Sequence, residues 1–149
     1  MKEATIIIAD DHPLMRKGLK DIIEGGSEWK IVGEAGDGES ALELIEKLKP
    51  TAAVIDIDMP KLNGLEVVKI INQKKIPVKI IILTMYDKET IFNRAMDLGV
   101  RGYVIKDSAV TEVVEALKNV ISGKYYISPV FSDFLLKRGH FTPEDNSVE

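Results

Sequence analysis

Five short apolar runs, each followed by a segment with helical spacing, constrain this chain more than any other feature. Thr5-Ile-Ile-Ile-Ala9, Ala53-Val-Ile and Val78-Lys-Ile-Ile-Ile-Leu83 are too short for core helices and rich in β-branched residues, which predicts buried strands. Trp29 to Ala35 reads as a weaker second strand and Gly102-Tyr-Val-Ile105 as a short fifth. The intervening segments carry apolar residues on one helical face: Met15, Leu19, Ile22 and Ile23; Ala41, Leu44, Ile45 and Leu48 (within Glu39 to Lys49); Leu65, Val68 and Ile71; Lys88 to Leu98; and Val110, Val113, Val114, Leu117 and Ile121. Pro13 suits a first helical turn, where a missing N–H costs nothing. Gly25-Gly26, Pro50, Pro77, Gly99 and Gly123 are natural stops. Strict alternation of continuous apolar strands with amphipathic helices predicts an α/β, doubly wound parallel sheet covered on both faces.

Such a sheet binds ligands outside the carboxyl ends of its strands, where the strand order reverses. The polar residues that end these strands are therefore the candidate site. Asp10-Asp11 follow the first strand, Asp56 ends the third, Thr84 the fourth and Lys106 the fifth. Taken singly, each has an ordinary structural role: Asp10 and Asp11 can cap a helix, Thr84 a strand end, and Lys106 can be a solvated charge. Together they form a different object. Three gathered carboxylates repel one another unless a hard cation joins them, and magnesium prefers such oxygen ligands. A lysine and a threonine hydroxyl suit the remaining oxygens of a phosphoryl group. Asp56 then reads as an anionic nucleophile of the aspartyl-phosphate kind.

The totals exclude several other chemistries. The 149 residues hold no cysteine, so neither disulfides nor thiolate sites enter the argument. A net charge of −4 disfavours bulk attraction to a nucleic-acid backbone. No apolar run approaches a membrane span and the start lacks a signal pattern, which predicts a cytoplasmic protein without membrane contact.

With these motifs in order, the chain resembles the receiver domain of two-component response regulators over residues 4–122. The matching residues are Asp10-Asp11, the Asp56-Ile-Asp-Met-Pro60 block with Gly64, Thr84, and Gly102-Tyr-Val-Ile-Lys106-Asp107. The Asp10-Asp11-His12-Pro13-Leu14 opening is most similar to the NarL/FixJ branch. The resemblance implies a flavodoxin-like five-stranded sheet of order 2-1-3-4-5 with five helices on two faces. It implies that Asp56 accepts a phosphoryl group from a sensor histidine kinase. It further implies that Asp10, Asp11, Asp56 and the backbone carbonyl of Asp58 hold Mg2+, that Thr84 and Lys106 bind the phosphoryl oxygens, and that Tyr103 changes rotamer with Thr84. The fourth helix, fifth strand and fifth helix become the implied partner face, with Arg94, Asp97, Arg101, Glu112, Glu115 and Lys118 as rim charges. Homodimerisation on phosphorylation fits the same resemblance. Two positions depart from it: Asp107 stands where many receivers have proline, and Asp58 is acidic.

Residues 1–123 are expected to form the receiver. Residues 124–149 are expected to supply a linker, a short helix over Val130 to Arg138, and a disordered tail from Gly139. Phe141-Thr-Pro-Glu144 resembles the opening of the DNA-binding domain of that branch, so DNA contact is expected only through an effector domain beyond this chain, if at all. A stand-alone regulator acting by protein contact is the alternative. Two further readings are weaker. Asp56-x-Asp58 mimics the acid pair of haloacid-dehalogenase phosphatases, but that pair should follow the first strand. Gly33-x-x-Gly36-x-Gly38 has its glycines in the wrong order for a dinucleotide fingerprint.

Overall fold

β1 (Thr5–Ala9) is buried from Ile6 onward, and the sheet is built outward from it. It pairs in parallel with β2 (Lys30–Ala35) on one side and β3 (Ala52–Asp56) on the other. β4 (Lys79–Thr84) and β5 (Gly102–Ile105) follow, again parallel. The structure, a computed structural model, describes residues 3–138. The strand order is β2-β1-β3-β4-β5-β6, so the direction of winding reverses between β1 and β3.

The expectation of five strands and five helices is corrected here. Among the described residues there are six of each, with β6 (Tyr126–Ile127) added in parallel to β5 and α6 (Ser132–Lys137) following it. Two residues show no alternation, and Pro129 follows after Ser128, so this stretch reads as a link in the sequence. The expected disordered tail and the Phe141 to Glu144 resemblance lie outside the described residues.

Two apolar layers flank the sheet. α1 (Pro13–Gly25) and α5 (Ala109–Ile121) press Leu19, Ile23, Val113, Leu117 and Val120 onto Ile6, Ile8, Val54, Ile81 and Leu83. α2 (Gly38–Leu48), α3 (Gly64–Gln73) and α4 (Glu89–Asp97) cover the opposite face, formed by Ile7, Ala53, Ile55, Ile82 and Tyr103. Each fully buried branched side chain contributes about 1.5–3 kcal/mol relative to exposure, so this double layer fixes which strand residues face which helices.

Local chemistry sets the helix starts beside the site. The Asp37 carboxylate accepts from the Ser40 amide at 2.8 Å and caps α2. Asn63 and Glu66 form a reciprocal capping box at the start of α3, with bonds of 2.9 and 2.8 Å. Gly64 is required by close approach, because a Cβ there would lie 2.5 Å from the carbonyl oxygen of Asp56. Gly38 has a similar packing reason: its Cβ would meet the Leu62 carbonyl at 2.1 Å. That crowding accounts for a glycine that the sequence motif alone left open to a nucleotide reading.

Candidate functional site

Asp10 stands just past β1 and Asp56 ends β3, so the reversal between these strands brings the two carboxylates together. Both are buried, at 0% and 2% exposure, where an uncompensated charge would be costly. Lys106, directly after β5, supplies the compensation. Its Nζ lies 2.8 Å from Asp56 Oδ2 and 3.1 Å from Asp10 Oδ2. Burial works against the lysine's charge, but the two carboxylates outweigh it and hold its pKa above the ordinary value. Burial also raises the Asp56 pKa, opposed by the Lys106 bond and reinforced by the negative charge of Asp10.

The cluster has the donors of a metal site. Oxygen or nitrogen atoms of Asp10, Asp11, His12 and Asp56 lie within 4.8 Å of one another and could hold a metal ion. Asp10 Oδ2 is buried with the Lys106 ammonium 3.1 Å away as its ion-pair partner, an anionic oxygen of the kind a cation binds. Asp11 is exposed and contacts only the neighbouring imidazole, at 3.1 Å, so it can swing towards a cation at little cost. The three carboxylates of this set fit a hard divalent ion, with the His12 imidazole beside them.

The remaining residues expected at the site are brought near it to different degrees. Thr84 ends β4 fully buried, and its hydroxyl accepts from the Tyr86 amide at 3.0 Å. Tyr103, on the adjoining β5, is also completely buried. Burial pushes its phenol up to about 12, with the neighbouring Thr84 hydroxyl acting in the opposite direction. The Asp58 carboxylate is not among the gathered ligand atoms and accepts from Tyr86 Oη at 2.6 Å. Among the described residues no peptide bond is cis, the Lys106–Asp107 bond included.

Sequence reasoning missed His12 and Tyr86. His12 entered only as part of the Asp10-Asp11-His12-Pro13-Leu14 opening, yet its Nδ1 lies 2.9 Å from Asp10 Oδ1 and 3.0 Å from Lys106 Nζ. Its place directly after the acidic pair was the available signal. Tyr86, two residues beyond Thr84, carries no such signal, because its partner Asp58 is 28 residues away. Beside the cluster a groove of about 370 Å3, lined by His12, Met15, Met85, Lys106 and Asp107, opens the lysine to an incoming group.

Residues 6–118 match the family described as the response regulator receiver domain. The chain is 33% identical over 132 residues to the nitrate/nitrite response regulator protein NarL of Escherichia coli K12, covering 89% of this chain and 61% of that protein. It is similar to the crystal structure of a LuxR-family two-component response regulator from Aurantimonas, with a TM-score of 0.85, 30% identity, and coverage of 92% of this chain and 98% of that one. It also resembles the isolated REC domain of RcsB from Salmonella enterica, solved with the phosphomimetic BeF3−. There the TM-score is 0.82, the identity 29%, and the coverage 89% and 99%. The chain spans 56% to 61% of the length of curated relatives such as DegU of Brevibacillus brevis and NarL. Among the described residues no helix is long and apolar enough to cross a membrane.

Proposed function

Because the chain belongs to the response regulator receiver domain family of two-component systems, in its NarL/LuxR branch, we propose that Asp56 is its phosphoryl acceptor. The observation that carries this reading is the buried Asp56 carboxylate, held 2.8 Å from the Lys106 ammonium beside a second buried aspartate. The family is one of signalling regulators rather than turnover enzymes, so the outcome of the chemistry is a changed surface and not a released product.

In this reading an Asp56 oxygen attacks the phosphorus of a phosphohistidine on a sensor kinase. The new P–O bond forms as the P–N bond breaks, and the imidazole leaves with the electron pair. Lys106 already contacts the acceptor oxygen and is placed to pair with the phosphoryl oxygens once they arrive. Asp10, Asp11, Asp56 and the Asp58 carbonyl would hold Mg2+, which when bound supplies positive charge against the transferring group. Thr84 Oγ1 accepts from the Tyr86 amide, so a phosphoryl group that draws this hydroxyl towards it would pull on the β4–α4 turn. Phosphorylation adds about −1.5 to −2 charges and three acceptors, enough to drive such a local rearrangement. We assign the protein to the cytoplasm. We further assign its influence on transcription to an effector beyond the described residues or to a separate partner.

The test is phosphotransfer from a phosphohistidine-bearing kinase domain to the full chain. Transfer should require Mg2+, stop on chelation with EDTA, and be lost in Asp56→Asn. Transfer that survives Asp56→Asn would overturn the assignment.

A further inference from the structure

The face expected to receive partners is already partly filled by the chain itself. β6 extends the sheet beyond β5, with the Tyr126 amide donating to the Arg101 carbonyl at 3.0 Å and the Ser128 amide to the Tyr103 carbonyl at 2.9 Å. Ser128 is fully buried. Its hydroxyl accepts from the Ile105 amide at 3.0 Å and donates to Glu112 Oε1 at 2.7 Å. Tyr126 Oη donates to the same carboxylate oxygen at 2.8 Å, so one side chain of α5 anchors both residues.

The segment then turns over the aromatic switch position. Phe131 is fully buried, with its ring centroid 4.8 Å from that of Tyr103 in an edge-on arrangement. Phe92 of α4 closes the other side of Tyr103 at 5.2 Å, and Phe134 of α6 lies 5.8 Å from Phe92. Polar contacts hold α6 along α4: Arg138 donates to Asn93 Oδ1 at 3.0 Å and to Asp97 at 3.1 Å, and Lys137 lies 3.8 Å from Glu89. Close-packed interiors do not deform continuously, so Tyr103 cannot leave its pocket unless Phe131 or Phe92 moves.

We propose that residues 126–138 are a built-in reader of the acceptor site, seated on Tyr103 and linked through Thr84 to the phosphoryl group on Asp56. This rests on the acceptor reading above. A phosphoryl group that draws Thr84 out of its turn makes room behind Tyr103 Oη, and the buried Tyr103 is the state on which Phe131 sits. Phosphorylation and seating therefore support each other, and linkage requires that each strengthen the other by the same factor. The signal leaves the domain along its own C-terminal chain. A second copy reaches this face only by displacing the segment.

The experiment uses the full chain with Mg2+ and beryllofluoride as the phosphoryl mimic. Beryllofluoride affinity is measured by calorimetry, and backbone exchange of residues 126–138 by hydrogen–deuterium mass spectrometry. Phe131→Ala tests the buried contact, while Phe134→Ala and Arg138→Ala act at the rim and leave the central core intact. The expected result is slower exchange of the segment when beryllofluoride binds, and affinity weakened roughly fivefold or more in the variants, the lower end of common coupling. Unchanged or faster exchange, or unchanged affinity in all three variants, overturns the reader while leaving Asp56 as acceptor. Absence of any beryllofluoride binding by the wild-type chain overturns both.

Discussion

The Lys106 ammonium stands between Asp56, at 2.8 Å, and Asp10, at 3.1 Å, so one buried cation holds two buried carboxylates. Asp10 belongs to one strand end, Asp56 to a second and Lys106 to a third. The triad therefore fastens three strand ends together at the point where the chemistry is proposed. Removing the single cation of such a group leaves uncompensated charge in the interior, which commonly costs about 3–5 kcal/mol.

Lys106→Met is accordingly expected to destabilise the protein by about 3 kcal/mol or more in metal-free buffer at neutral pH. Mg2+ should return part of that loss, because a second cation can take the lysine's electrostatic place. Urea denaturation with EDTA and with Mg2+ measures both effects. A variant as stable as wild type in EDTA would contradict the role given to Lys106.

Asp56→Asn is expected to do the opposite. Burial holds the Asp56 pKa above 3.8, so the folded state binds this proton more tightly than the unfolded chain does. The penalty is therefore absent below about pH 3.8, grows as pH rises through the folded value, and is complete above it. The variant should gain about 1 kcal/mol at pH 7, the ordinary scale of one substitution, and converge with wild type in acid. Thermal unfolding across pH 3.5–8 on both proteins checks the sign (about this range covers both protonation states).

The acidic cluster predicts a metal-dependent stability. Mg2+ at roughly ten times its dissociation constant should stabilise the wild type by about 1.4 kcal/mol. Asp11→Ala, which removes an exposed carboxylate with few internal contacts, should reduce that gain with little change in metal-free stability. Calcium should substitute poorly if the site demands compact octahedral geometry.

Gly64→Ala tests how closely α3 must approach the acceptor strand. Its Cβ would lie 2.5 Å from the Asp56 carbonyl oxygen, against backbone that cannot swing aside. A loss of about 1–3 kcal/mol is expected, the usual cost of overpacking. Displacement of the Asp56 strand end should also slow its phosphorylation. Denaturation and acetyl phosphate labelling give the two readings.

Much of this molecule was legible in the sequence because its strands are continuous apolar runs with polar ends. Thr5–Ala9 was read with its observed bounds, and the second helix was displaced by a single residue at each end, spanning Gly38–Leu48. The convergence of Asp10, Asp56 and Lys106 followed from topology alone. What was missed depends on contacts distant in sequence and too brief to show a period. β6 spans two residues, Ser128 and Phe131 acquire their partners only when β5 and α5 are in place, and Asp58 meets Tyr86 across 28 positions. Part of the packing on Tyr103 has the same origin, because Phe131 lies against its ring at 4.8 Å.

The most direct measurement is intact and peptide-level mass spectrometry of the full chain after incubation with acetyl phosphate, with and without Mg2+. The account predicts a single base-labile phosphoryl adduct that requires Mg2+, maps to the peptide carrying Asp56, and is absent from Asp56→Asn. An adduct mapping elsewhere, or no adduct under conditions where Mg2+ measurably stabilises the fold, would contradict it.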